Sequence, residues 1–187
     1  MGRSGSRQFR QAVRLGAMAS FGILVLAVAE ALWFPRLLAW GIRPREAVGL
    51  RGILVSPLLH AGLAHAIANA LPLQILLTLF WAEPRHRPGR SLAWIWLGSG
   101  LGTWLIGRGG TVHVGASGVI FGLAAFLIVA GLVLRRWRSL VVAAFVAVVF
   151  GGIFYGALPQ PGPISWEGHL SGAVAGAWTA THLRRRG

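Results

Sequence analysis

The chain has 187 residues, of which 55% are hydrophobic and 12% are charged, and its mean hydropathy is +0.66. A soluble domain carries about 25% charged residues. Because so little polar surface is available to cover a globule in water, the composition excludes a soluble domain and predicts an integral membrane protein.

The charged residues restrict the chemistry further. All 18 basic residues are Arg, Asp and Cys are absent, and the acidic side chains are Glu30, Glu46, Glu83 and Glu167. Without Asp a Ser-His-Asp triad is excluded, so a serine mechanism needs a dyad or a Glu. Without Cys, disulfides and thiolate ligands are excluded. The net charge of +14 lies mostly in short segments between apolar runs, which indicates membrane topology and contact with the lipid bilayer, and no nucleic-acid partner.

Six apolar runs predict an all-α protein with six transmembrane helices. Residues 1–14 form a basic lead that we expect to be flexible and cytoplasmic, residues 15–183 form the six-helix core, and residues 184–187 form a basic tail. The runs cover 15–34, 58–81, 92–106, 113–134, 140–158 and 167–181. A helix needs about 20 apolar residues to span a bilayer, and the third and sixth runs are short by that measure.

The distribution of arginine predicts the topology. Thirteen of the 18 arginines lie at the two termini and in the turns at 85–90 and 135–138, and five lie in the other loops. The positive-inside rule then makes both termini cytoplasmic. A basic segment before an apolar run also begins a signal peptide, but the long first run lacks a clean cleavage site, which favours a retained helix. Residues 34–59 are expected to lie partly in the membrane interface.

Four polar side chains interrupt the apolar runs or lie at their edges: His60, His65, Asn69 and His169. Such residues are costly in a membrane and usually face the bundle interior or a water-filled cavity. His65 and Asn69 are four residues apart, so they share a helix face. His60 lies on a different face by the same count, and we expect it at the entry of the helix with another role.

A glycine pattern predicts which helices touch. His169, Gly172 and Gly176 lie on one stripe of the last helix, and Gly118 and Gly122 offer small steps on the fourth. Helices in lipid pack closely where side chains are small. Packing these two faces together would bring the imidazole of His169 towards the hydroxyl of Ser117.

Structural interpretations of the same residues remain open at this point. A serine among glycines is usually a packing residue, and a single buried histidine is usually a hydrogen-bonded core residue. His60, His65, His113 and His169 could hold a metal, although no carboxylate accompanies them and the spacing is not that of a helical ligand pair. Glu167 is expected at the interface and Glu30 at the outer end of the first helix, while His113 and His182 receive no role.

Three groups of residues resemble the motifs of rhomboid intramembrane serine proteases. Gly115-Ala116-Ser117-Gly118 with Phe121-Gly122 is similar to the family's Gly-x-Ser-Gly motif. His60-x4-His65-x3-Asn69 is similar to its second-helix signature, and Gly168-His169-Leu170-x-Gly172-x3-Gly176 to its last-helix pattern. The groups occur in the family's order and cover most of residues 15–183. The first loop lacks an obvious tryptophan-arginine pair that some members carry.

The resemblance implies a role for each motif residue. Ser117 would be the nucleophile and His169 the general base, with no metal and no cofactor. The backbone N–H of Ser117 and the side chains of His65 and Asn69 would hold the oxyanion. Phe121 would pack against the imidazole, and His60 would be structural or organise water. The supporting glycines would be Gly115, Gly118, Gly172 and Gly176.

The resemblance also implies a substrate and a route to the site. The substrates would be transmembrane segments of membrane proteins, cleaved near the extracytoplasmic face of a bacterial inner membrane. Loop 156–165 would be a lid and the fifth helix a lateral gate with Phe145, Phe150 and Phe154, although ordinary lipid-facing side chains explain these phenylalanines equally well. Two other hypotheses remain: a non-catalytic relative that binds membrane helices, and a histidine-lined metal or proton transporter.

Overall fold

The computed structural model describes residues 3–183, and this part of the chain folds as a helical bundle. Within it, each predicted run corresponds to a helix of 14 residues or more, and one further helix is a single short turn. The helices are α1 Arg3–Leu32, the short α2 Gly52–Val55, α3 Leu63–Trp81, α4 Pro88–Ile106, α5 Ser117–Leu134, α6 Trp137–Phe150 and α7 Trp166–Thr181. A 3₁₀ helix, Gly151–Ala157, continues α6.

Four segments of the described chain are long and apolar enough to cross a membrane: Gly5–Leu32, Leu63–Trp81, Ser117–Leu134 and Trp137–Ala157. Helices α4 and α7, which correspond to the short third and sixth runs, are not among them. The two pack on each other, and α7 also packs along α5. The all-helical fold is therefore found as predicted, whereas six membrane crossings and the side on which the termini lie stay predictions.

The basic lead differs from the expectation of a flexible segment. Helix α1 begins at Arg3, so the described part of the lead is helical and continuous with the first apolar run. Ala12 is buried, and Gln8 Nε2 donates to the carbonyl oxygen of Ala82 at 3.2 Å. These contacts with the far end of α3 give the lead a packed face. The predicted basic tail at 184–187 lies outside the described residues.

The segment between α1 and α3 is a chain of short helical turns that packs against α4. It contains the 3₁₀ turns Pro35–Trp40, Ala47–Arg51 and Ser56–Leu58 around α2. The indole of Trp96 donates to the carbonyl oxygen of Ile53 at 3.1 Å, and that of Trp104 to the carbonyl oxygen of Glu46 at 2.9 Å. A pair of backbone hydrogen bonds joins Ile42 to His113 just before α5.

Helix α5 lies at the centre of the bundle, and glycines set its distance from α7. A Cβ at Gly172 would overlap the carbonyl oxygen of Gly118, and a Cβ at Gly176 would overlap that of Gly122. The close contact between these two glycine faces is the one that the sequence pattern predicted. Because α5 and α7 run together from their first turns, residues near both N-termini meet at the same end of the bundle.

Candidate active site

Ser117 and His169 meet at that end. Ser117 is the first residue of α5, His169 lies in the first turn of α7, and Ser117 Oγ is 2.9 Å from His169 Nε2. Gly115 has φ +116°, which an L side chain rarely adopts, and this turn leads the chain into α5. Ser165 caps α7 by accepting the backbone N–H of Gly168 at 3.3 Å. Two local features therefore direct the two side chains to one point.

The second ring nitrogen of His169 is held by a backbone group. Nδ1 lies 2.9 Å from the carbonyl oxygen of Gly156, in the 3₁₀ helix Gly151–Ala157. A carbonyl oxygen only accepts, so Nδ1 carries the proton and Nε2 is left to accept from the Ser117 hydroxyl. Sequence reasoning missed Gly156, because a main-chain carbonyl that orients the ring has no residue-type signal.

Phe121 covers one face of the imidazole. Its ring is stacked on His169 with centroids 4.1 Å apart and an interplanar angle of 11°, and Phe154 meets Phe121 edge-on at 5.9 Å. The contact that the resemblance implied for Phe121 is therefore present. Among the three proposed gate phenylalanines, Phe145 and Phe150 contact each other, with ring centroids 6.5 Å apart.

His65 and Asn69 lie close to the turn that leads into Ser117. A Cβ added to Gly115 would fall 2.6 Å from His65 Cε1 and 3.7 Å from Asn69 Nδ2, so both side chains crowd the backbone just before the serine. Asn69 Nδ2 is buried and has no hydrogen-bond partner among the described residues. One cavity of about 720 Å³ is lined by His65 and Asn69 together with Ser117 and His169. A buried donor without a partner beside a nucleophile is available to a ligand oxygen.

His60 lies behind this cavity, not in its wall. Its ring is buried, and Nε2 accepts the backbone N–H of Ala116 at 3.4 Å. Its own backbone N–H donates to Glu30 Oε2 at 2.9 Å, and its ring meets that of His65 edge-on at 5.2 Å. His60 therefore ties the end of α1 to the turn before Ser117, and the structural or water-organising role expected of it stays a prediction.

Glu167, which was expected at the membrane interface, has a side chain that is fully buried within the protein. Glu167 Oε1 pairs with Arg108 Nε at 2.8 Å. The other two guanidinium nitrogens of Arg108 donate to the carbonyl oxygens of Gly162 and Ile164 at 2.8 and 2.6 Å. Arg108 thus joins the proposed lid to α7 two residues before His169. No sequence signal pairs two residues that are 59 positions apart.

His113, which received no role from sequence, closes a polar network at the start of α7. Thr111 donates to the carbonyl oxygen of Arg108 at 2.7 Å and so accepts from His113 Nε2–H at 2.9 Å. Nδ1 of the same ring then accepts from Ser165 Oγ at 2.6 Å. Burial lowers the pKa of His113 below its ordinary value, while nearby Glu167 raises it. The network therefore favours a neutral ring.

A second, smaller cavity lies beside Ser117. It has a volume of about 30 Å³, and its lining residues include Ser56, Ser99, Thr103 and His113. A cavity needs about 10–15 Å³ of this kind of volume to hold one water molecule. Over the described residues, no group of three or more His or Glu side chains is placed to hold a metal ion.

Most of this chain is similar in sequence to known proteins. A family model for the Rhomboid domain matches residues 48–186. An uncharacterized protein of Mycobacterium tuberculosis is 48% identical over 148 residues, which are 75% of this chain and 62% of that protein. An uncharacterized protein of Mycobacterium leprae is 40% identical over 148 residues, or 75% of this chain and 59% of that protein. The chain spans about three fifths of the length of these curated relatives. No solved structure matches it.

Proposed function

The chain belongs to the rhomboid family of integral membrane proteins, and from this premise we propose that it is an intramembrane serine endopeptidase acting through Ser117 and His169. The observation that carries the proposal is the 2.9 Å contact between Ser117 Oγ and His169 Nε2, in a ring whose Nδ1 proton is held by Gly156. A serine hydroxyl is a weak nucleophile until a base accepts its proton, and this geometry supplies the base.

In the first step, Ser117 Oγ attacks the scissile carbonyl carbon while His169 Nε2 takes the hydroxyl proton. The imidazolium then gives that proton to the leaving amine, and a water molecule repeats the sequence on the acyl-enzyme. Gly156 keeps the ring in the correct tautomer throughout. A neutral carbonyl stabilises the imidazolium less than a carboxylate does, so the dyad depends more heavily on its other surroundings.

Two of those surroundings stabilise developing charge. The negative oxygen would be held by the backbone N–H of Ser117 and by the side chains of Asn69 and His65; losing one such donor typically costs about 10²–10³ in kcat. The stacked ring of Phe121 faces the positive charge that forms on His169, and an aromatic face attracts a cation by about 0.5–2 kcal/mol.

The proposal also needs water and a closed site. The 30 Å³ cavity beside Ser117 has room for one or two water molecules, and its partly polar lining supports storage of the hydrolytic water there. Residues 162–165 line the larger cavity over Ser117, and Arg108 holds this part of the loop. Arg108 would therefore be a positioning residue for the lid.

The substrate and cellular setting follow from the family. We propose that transmembrane segments of other membrane proteins are cleaved, near the extracytoplasmic face of a bacterial inner membrane, with both termini of this chain in the cytoplasm. The enzyme would need no metal or cofactor, since the nucleophile, base and oxyanion donors are all residues of the chain.

The test is labelling of the purified protein in detergent with a fluorophosphonate probe. The wild-type chain should be labelled, and Ser117→Ala should lose all labelling. Ser171→Ala is the matched control, because Ser171 is a buried serine of α7 whose Oγ has no hydrogen-bond partner within residues 3–183; it should be labelled like the wild type. Equal labelling of wild type and Ser117→Ala contradicts the proposal, and a folded wild type that is never labelled supports a non-catalytic helix-binding relative.

A further inference from the structure

A basic cavity lies at the opposite end of the bundle from Ser117. It is enclosed between the start of α4 and the end of α7 and has a volume of about 180 Å³. Thr179 and His182, ten and thirteen residues beyond His169, belong to its wall. At 1.5 Å per helical residue they lie about 15–20 Å from His169 along the axis of α7. The cavity is thus separate from the proposed active site.

The charged side chains that line this cavity in the described part of the chain are basic. They are Arg87 and Arg90, and none of the described lining residues is acidic. Glu83, the carboxylate in the neighbouring turn, is already paired with Arg85 at 3.4 Å. Helix α4, with 19 residues, begins at this point and directs the positive end of its dipole here. All of these features favour an anionic ligand.

Two tryptophans indicate at which depth of the membrane the cavity lies. Trp94 and Trp178 form part of its wall, each is about half exposed, and their rings meet edge-on with centroids 5.8 Å apart. Tryptophan concentrates where hydrocarbon meets the lipid headgroups. The cavity therefore combines arginine guanidinium groups, which suit phosphate oxygens, with apolar indole surface suited to glycerol and the first acyl methylenes.

We propose that this cavity binds the phosphate of an anionic glycerophospholipid, with Arg87 and Arg90 contacting the phosphate and Trp94 and Trp178 contacting the glycerol region. The volume suits a headgroup phosphate with part of its glycerol. Basic cavities between transmembrane helices are known to bind such headgroups. The site does not depend on the proposed protease activity, since it uses none of the residues assigned to that activity.

The experiment is native mass spectrometry of the protein released from vesicles that contain phosphatidylglycerol and phosphatidylcholine in equal amounts. The wild type should retain one phosphatidylglycerol molecule. Arg87→Gln/Arg90→Gln should bind it about 30-fold more weakly, because one arginine near an anionic surface contributes roughly a factor of five. The single variant Arg90→Gln, which changes an exposed side chain, should bind phosphatidylglycerol about fivefold more weakly.

The matched control is Arg135→Gln/Arg136→Gln, which removes two exposed arginines from the other predicted cytoplasmic turn, outside the cavity. It should retain the lipid like the wild type. An equal loss in this control overturns the proposal in favour of diffuse charge attraction. Full retention by Arg87→Gln/Arg90→Gln overturns it as well. Displacement of the lipid by submillimolar inorganic phosphate would overturn the assignment to a lipid and indicate a free phosphate site.

Discussion

Helices α5 and α6 are similar in apolar character but differ greatly in burial. The most apolar 18-residue stretches of α5 and of the segment Trp137–Ala157, which is α6 with its 3₁₀ continuation, have almost the same mean hydropathy. Of these stretches, 61% is buried in α5 and 22% in Trp137–Ala157. Lipid tails are as apolar as leucine, so apolar character alone does not drive one membrane helix against another. Close packing needs small side chains, and α5 places Gly118 and Gly122 against the glycines of α7.

This difference in burial explains what each part of the structure gives to the proposed active site. One part is the contact between α5 and α7, and the other is α6 with its 3₁₀ continuation. Ser117 and His169 lie on α5 and α7, whose backbones are so close that only glycine fits at Gly172 and Gly176. The α6 side contributes the main-chain carbonyl of Gly156 and the ring of Phe154 against Phe121, both at the end of a more exposed segment, and a Cβ at Gly151 or Gly152 would meet open space. We infer that the α5–α7 contact determines stability and proton transfer, while the segment that follows α6 orients the ring of His169.

The largest expected effect comes from removing the base on the α5–α7 side. His169→Ala should lower cleavage of a single-span reporter protein by at least about 10³-fold, because His169 is the base that contacts Ser117 Oγ among residues 3–183. His182→Ala, at the far end of the same helix, should cleave at the wild-type rate. Retained cleavage in His169→Ala would show that proton transfer does not run through this contact.

A methyl group at the glycine contact should be the next largest effect. Gly172→Ala places a Cβ against the carbonyl oxygen of Gly118 and should destabilise the protein by about 1–3 kcal/mol, the usual cost of overpacking. Gly152→Ala on the α6 side should stay within about 0.5 kcal/mol. Unfolding in detergent measures both, and equal changes would remove the distinction between the two sides.

A smaller effect, on rate more than on stability, is expected from the carbonyl that orients the ring. Gly156→Ala adds a Cβ 3.3 Å from His169 Nδ1 and 3.3 Å from Phe121 Cζ, so the ring or the 3₁₀ helix must shift by a few tenths of an ångström. We expect cleavage to fall about tenfold, since catalysis is sensitive to small displacements. Gly151→Ala, which meets open space, is the control and should leave the rate unchanged.

The smallest expected effect concerns acid. Burial lowers the pKa of His113 below its ordinary 6.5, so the folded protein binds this proton less readily than the unfolded chain. The stabilisation from the neutral ring is complete above about pH 6.5 and is lost as the pH falls towards the folded pKa. Unfolding curves at pH 7 and 5 should show a smaller loss for His113→Gln than for wild type. An identical loss of stability in the two proteins would show that His113 does not contribute to the acid sensitivity.

Much of the fold was readable from sequence because it depends on local pattern. The long apolar runs predicted the long helices, and the absence of Asp directed attention to a dyad. The glycine stripes at Gly118 and Gly172 predicted the α5–α7 contact, because spacing along a helix defines which residues share a face. Helical structure from Arg3 onwards was missed, since the basic lead is polar and its packing partner is the distant end of α3.

The sequence by itself determined that this is a helical membrane protein with Ser117 and His169 on faces able to meet. Residue type and helical period carry that information. Tertiary structure alone decided that Gly156 orients the imidazole, that Glu167 is buried against Arg108, and that His113 joins Ser165. Each of these contacts joins residues that are at least 13 positions apart and come from different elements, and the Gly156 contact uses a main-chain oxygen that every residue possesses. Only the packing of those elements creates such contacts.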